Sequence, residues 1–174
     1  MNPAAQPPTY AAAPPTLERM DPVTTVLLGV VTLGIYPLVK FWQAITQYRA
    51  LAGSPTNVGT LFGAYLACTI GGALLTGILV GFLLIPAGYV VGWLLLGETL
   101  RLRDQVRQRY GLAAPVHDAG THKGMWIGGQ VLSWIVIGIV PLIMQAWWFF
   151  GDHTALAAEL ENRRRAGGPG FDAR

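Results

Sequence analysis

Charge is what this chain has least of. Only 12% of its 174 residues are Asp, Glu, Lys or Arg, against about 25% in an average soluble domain. No Asp, Glu, Lys, Arg or His lies between Asp21 and Lys40, between Arg49 and Glu98, or between Lys123 and Asp152, gaps of 18, 48 and 28 residues. A bilayer core about 30 Å thick is crossed by about 20 apolar helical residues. A soluble fold has no use for an uncharged run of 48, so the expected class is an all-α, multi-pass membrane protein. The missing ionisable groups exclude a proton or ion pathway carried by this chain alone. They also exclude a haem ligated by a mid-membrane histidine. The one cysteine, Cys68, excludes an internal disulfide and reads as a small packing residue. Phosphate loop, nucleophile elbow and zinc motif are all lacking, which points to a non-enzymatic protein without a cofactor. The first 20 residues have neither a basic start nor an apolar core, so they are not a cleaved export signal. Residues 1–21, rich in Pro and Ala, read as a tail that is disordered or straps a partner. The net charge of +3 is mild, and the basic residues flank the apolar runs. That fits the positive-inside pattern and not a nucleic-acid surface.

What is present divides the apolar runs. A straight helix through the 48-residue gap would be about 72 Å long, so the chain folds back. Pro86 and Gly88, in "FLLIPAGY", mark the expected turn, with spans near 58–82 and 86–100. "GETLRLRDQVRQRYG" follows as a charged helical extension with Gly111 as its C-cap and Asp104 paired with Arg107 at i,i+3. Residues 112–124 read as a loop. The 28-residue gap is too long for one simple span. A single crossing would also put Arg163, Arg164 and Arg165 opposite Arg101, Arg103, Arg107 and Arg109, against the positive-inside rule. A break at Gly138–Pro141 removes the conflict.

That break echoes an earlier one. "GIYPL" at 34–38 and "GIVPL" at 138–142 share four of five residues, so Gly34 and Pro37 mark a first turn. Aromatic residues and a charged helix follow each. Three related helical hairpins result, at about 22–53, 57–111 and 122–167, with 168–174 as a C-terminal tail. Residues 23–36 would make a helix of only about 21 Å, so the first hairpin, and by analogy the third, are expected to be re-entrant. All charged ends, and both termini, then lie on the cytoplasmic side.

At "VVTLGIYPLVKFWQAITQYRALAG", 30–53, the sequence resembles two families of small bacterial multi-pass membrane proteins of uncharacterised function. Both carry a Thr-Leu-Gly-Ile-Tyr stretch followed by an aromatic and a basic helix. The corresponding residues are Thr32 to Tyr36, Trp42, Tyr48 and Arg49. The resemblance implies a bacterial inner-membrane location and supplies no activity.

Small residues repeat at helical spacing. Gly59, Gly63, Ala67 and Gly71 form one stripe, and Gly88 and Gly92 repeat the interval. Such stripes let helix backbones approach in lipid, within this chain or against another membrane subunit. Gln130 and Gln145 need partners, in each other or in a ligand. Lys40, Trp42, Arg49, the arginines of 101–109 and 163–165, Trp147 and Trp148 read as interfacial charge and aromatic anchors, with lipid headgroups as one partner. His117, Asp118 and His122 offer metal-ligand chemistry, but a polar loop explains them equally and no metal is expected. The leading function is an accessory or scaffold subunit that packs against partner membrane proteins or itself. The alternatives are a channel or carrier of small or lipidic solutes, with Thr60, Tyr65, Thr69, Thr76, Gln130 and Ser133 lining it, and, last, a membrane enzyme.

Overall fold

A computed structural model describes residues 16–32, 34–75, 79–132 and 139–167. Those residues form six α-helices and no strand: α1 (Pro22–Val31), α2 (Ile35–Ala52), α3 (Val58–Leu74), α4 (Leu79–Arg109), α5 (Ala119–Leu132) and α6 (Ile139–Arg165). The all-α expectation holds. Among the described residues, no helix is long and apolar enough to cross a membrane.

Local chemistry sets the boundaries. The Asp21 carboxylate accepts from the Thr24 amide at 2.7 Å, and Pro22 opens α1 where no amide donor is needed. Asn57 caps α3 by accepting from Thr60 at 3.3 Å, and Asp118 caps α5 by accepting from Thr121 at 2.7 Å. Between α1 and α2 the chain reverses at Gly34, whose φ of 88° is left-handed and penalises any side chain. Pro37 sits in the first turn of α2 and Pro141 in the first turn of α6, where a missing N–H costs little. The two prolines thus start the returning helix and do not make the turn itself. Gly138 lies outside the described residues.

Pro86 requires a correction. It lies inside α4, and the chain does not turn at 82–89. A Cβ on Gly72 would meet Ile85 at 3.3 Å, one on Gly88 would meet Cys68 at 3.4 Å, and one on Gly92 would meet Tyr65 at 2.9 Å. The pairs 72/85, 68/88 and 65/92 are antiparallel with their midpoint at residues 78–79. Packing of α4 on α3 therefore continues on both sides of Pro86. That contact offsets the roughly 3 kcal/mol a proline costs inside a helix.

The small-residue stripe is also displaced. Gly63 and Ala67 are exposed, and a Cβ on Gly63 would meet nothing within 4 Å. The face of α3 that meets α4 carries Tyr65, Cys68 and Gly72, one position round from the predicted stripe. Gly59 lies near Trp42, and Gly71 near Leu84. Gly92 is among the tightest sites, with Trp126 at 2.6 Å from its virtual Cβ. Gly92→Ala is expected to destabilise the bundle by about 1–3 kcal/mol through overpacking. Gly63→Ala should be neutral or stabilising, because alanine is the better helix former. Chemical denaturation of the two variants in detergent micelles measures the difference.

Among the described residues, α3 lies along α4 and α5 along α6, while α2 packs on α4, α4 on α5, and α1 on both α2 and α6. The core lies at the charged end, where Ala44, Ile45, Tyr48, Leu102, Val106 and Leu156 are fully buried. The opposite end is inverted. There Leu74 is 79% and Val31 78% exposed, and Leu27, Ile35, Ile70 and Val131 are exposed as well. The charged helix ends meet: Arg109 donates to the Leu51 carbonyl at 3.0 Å and Arg163 to the Gly111 carbonyl at 2.9 Å.

Residues 16–21 correct the tail expectation, because they strap this chain's own bundle. Met20 is buried to 1%, its amide donates to the Thr154 hydroxyl at 3.2 Å, and Glu18 pairs with Lys40 at 3.0 Å. The His153 Nε2–H donates to the Glu18 carbonyl at 2.8 Å, which leaves Nδ1 to accept from the Tyr48 hydroxyl at 2.8 Å.

Candidate functional site

The concentrated chemistry lies where α4, α6 and the loop before α5 meet. Arg103 and Arg107 sit one turn apart on α4, between the buried Leu102 and Val106. Asp152 and Glu159 sit two turns apart on the facing side of α6. The loop brings His117, and the first turn of α5 brings His122. Asp118 caps that turn, so the sequence-predicted trio of His117, Asp118 and His122 is not the one assembled. Asp152 takes the aspartate's place.

Asp152 is the hub. Its Oδ1 lies 3.1 Å from His117 Nδ1, and its Oδ2 lies 3.2 Å from His122 Nε2 and 3.1 Å from Arg103 Nη1. Burial alone would raise the carboxyl's pKa. The hydrogen bonds from His122 and His117 and the charge of Arg103 outweigh that and hold it below the usual carboxylate range. The ionised carboxylate only accepts, so each facing ring nitrogen carries a proton. Arg103, 0% exposed, also donates to the His117 carbonyl at 3.2 Å and to Asp104 at 3.3 Å. His117 stacks on Trp148 with ring centres 4.5 Å apart and a 9° tilt. His122 is fully buried, and its Nδ1 has no hydrogen-bond partner. Below the hub, Arg107 reaches Glu159 at 3.3 Å and the Ala113 carbonyl at 2.6 Å. The expected Asp104–Arg107 pair does not form.

These contacts change the reading of the arginines. Arg103 and Arg107 are buried connectors and not interfacial anchors. Arg49 and Arg164 are exposed, while Arg101 pairs with Glu98 and Arg165 with Glu161 on the surface. Lys40 reaches Glu18 and lies 5.9 Å over the Tyr36 ring, Trp42 packs on Phe62, and Trp147 is exposed.

Above the hub, across the Phe149 ring that faces His122 at 6.3 Å, opens a cavity of about 340 Å³. Phe41, Tyr65, Trp126, Gln130 and Gln145 line it. Sequence reasoning had marked both glutamines and Tyr65. Thr76 and Ser133 lie outside the described residues. Asp152 was missed because it stands at the end of an uncharged run. A signal was available in the sequence: Arg103 and Arg107 interrupt an otherwise apolar face, and buried cations need anionic partners.

Two imidazoles and one carboxylate are a donor set that suits a divalent transition metal. One ligand atom from each of His117, His122 and Asp152 falls within 4.8 Å of the others. No protein-family model matches the chain, and neither a curated protein nor a solved structure matches it.

Proposed function

We propose that this chain is a non-enzymatic bacterial inner-membrane protein, a helical scaffold that seats its apolar end among lipid acyl chains and packs against partner membrane proteins. One observation carries the reading: the molecule is polarised. Its charged end has a buried apolar core, as a water-exposed fold does. Its other end exposes Val31, Ile35, Ile70, Leu74 and Val131, which water would penalise by about 25 cal/mol per Å² of apolar surface. α3 and the uncharged stretch of α4 from Leu79 to Gly97 measure about 25 and 28 Å, short of the roughly 30 Å of the hydrocarbon core, so the reading is of an apolar end that enters the lipid. Lys123 lies 4.9 Å over the Trp93 ring, where the apolar stretch meets the charged ends, an arrangement suited to the headgroup level. Gathering the ends of α2, α4 and α6 on one side accords with the positive-inside rule. The family resemblance of residues 30–53 supports the bacterial location.

The test is fractionation with an alkaline wash, followed by labelling of single-cysteine variants made in a Cys68→Ala background. The protein should stay with the membrane. Arg49→Cys and Arg163→Cys should react from the cytoplasmic face, and Leu74→Cys should resist an aqueous reagent. Recovery in the soluble fraction, or labelling of Arg49→Cys and Arg163→Cys from opposite faces, overturns the membrane reading. A lone monomer from mild detergent overturns the scaffold role. The cavity beside Gln130 and Gln145 favours a second reading, a carrier of small or lipidic solutes. Solute flux through liposomes containing only this chain supports that reading over the first.

A further inference from the structure

We propose that His117, His122 and Asp152 bind a zinc-type divalent cation at the junction of α4, α5 and α6. The donors come from three separate segments: the loop after α4, the first turn of α5 and the middle of α6. They nevertheless converge. Imidazole nitrogens and carboxylate oxygens bind zinc at about 2.0–2.2 Å, so two ligands of a tetrahedral ion stand about 3.4 Å apart. Here His117 Nδ1 and Asp152 Oδ1 are 3.1 Å apart, His122 Nε2 and Asp152 Oδ2 are 3.2 Å apart, and the set closes within 4.8 Å. The two edges end on different oxygens of Asp152, so an ion is held by both oxygens or by one oxygen after one imidazole shifts toward it. The remaining adjustment falls on His117, which is 27% exposed and lies on the loop.

The surrounding charges accommodate a cation. Arg103 Nη1 lies 3.1 Å from Asp152 and its Nε 3.3 Å from Asp104, so two carboxylates share its single positive charge. Arg103 then holds the ligating carboxylate and the His117 carbonyl together, the orienting role that outer partners of metal sites perform. The stacked Trp148 fixes the ring plane of His117. An ion here would tie the loop of residues 112–118 to α6 and so lock the charged end of the bundle. It binds whether or not the apolar end sits in a bilayer.

Titration of the full-length, tag-free chain in detergent with Zn2+ tests this. One ion per chain is expected, with proton release on binding, and Co2+ should give the visible spectrum of a low-symmetry nitrogen and oxygen site. His117→Gln should weaken Zn2+ binding by at least the roughly 100-fold at the upper end of what loss of an outer partner costs. His122→Gln should do the same. Asp118→Asn, which keeps the helix cap, should leave affinity unchanged. Since His117 is loop-borne and partly exposed, its variant carries the test even if a His122 variant fails to fold, with helicity checked by circular dichroism. Absence of stoichiometric binding to the wild-type chain overturns the site, as does equal affinity in His117→Gln.

Discussion

Asp152→Ala is expected to destabilise the protein by about 3–5 kcal/mol, measured by denaturation in micelles with a chelator present so that ion binding does not contribute. The substitution leaves the Arg103 guanidinium, 0% exposed, without the carboxylate that faces it at 3.1 Å. A buried charge deprived of its partner costs this much because low-dielectric surroundings cannot solvate it. Two histidine nitrogens lose their acceptor at the same time. Most of the penalty belongs to the buried cation, left with the partly exposed Asp104 alone as a carboxylate partner, and not to the pair's net worth. Arg103→Met in the Asp152→Ala background should therefore recover part of the loss, since an apolar pair of similar volume is often tolerated. By contrast Arg165→Ala, which removes a pair whose arginine is 74% exposed, should change stability by less than about 1 kcal/mol. If Asp152→Ala and Arg165→Ala cost the same, water reaches the hub and the buried-network account fails.

The contrast between these two arginines shows where sequence reading reaches and where it stops. Helical class was legible from the uncharged runs of 18, 48 and 28 residues, and the Gly-Ile-x-Pro stretches read as breaks stand where α2 and α6 begin. The caps Asp21, Asn57 and Asp118 add a local signal that the run lengths do not carry. The turn at Pro86 was misread because propensity is local and register is not. Which residue of α3 faces Gly88 depends on two helices at once, and no single-chain spacing encodes it. The same limit moved the packing stripe from Gly63 and Ala67 to Cys68 and Gly72. At the site, His117 and His122 stood out because they are polar residues in a short loop. Their partner Asp152 lies 30 and more residues on, beyond any motif. Arg103 and Arg107 read as interfacial charge anchors in the sequence because most arginines are exposed. Their burial follows from the apolar Leu102 and Val106 beside them, which place that helix face in the core. Residues 16–21 were taken for tail because proline and alanine dominate before them, while the anchoring contacts of Glu18 and Met20 are made far along the chain, with Lys40 and Thr154.

That strap gives the second large effect, a loss of about 3 kcal/mol of stability as pH falls from 6.5 to 4. Burial pushes His153 down to about 4 from its ordinary 6.5. The Glu18 carbonyl it bonds works against the shift without reversing it, and the Lys40 charge adds to it. His153 faces the Tyr48 hydroxyl from α2 and the Glu18 carbonyl from the strap. Burial likewise pushes the Tyr48 phenol up, so it stays a neutral donor throughout this range. A histidine whose folded pKa lies below its unfolded value takes up its proton more readily on unfolding. Its contribution is therefore complete above pH 6.5, declines steadily to pH 4 and is constant below that. The size follows from about 1.4 kcal/mol for each pH unit separating the two values. The measurement is taken as a difference between two proteins, so that the contribution of every group common to both cancels. His153→Gln keeps a donor for the Glu18 carbonyl and an acceptor for Tyr48 but cannot take up a proton. The stability gap between wild type and His153→Gln should change by about 3 kcal/mol across the window. Protonation adds a hydrogen at Nδ1, which then no longer accepts from the Tyr48 hydroxyl, while the bond from Nε2–H to the Glu18 carbonyl remains. Parallel stability curves for the two proteins between pH 6.5 and 4 would mean that His153 takes up its proton in the folded state without cost, and the buried-imidazole account would fail.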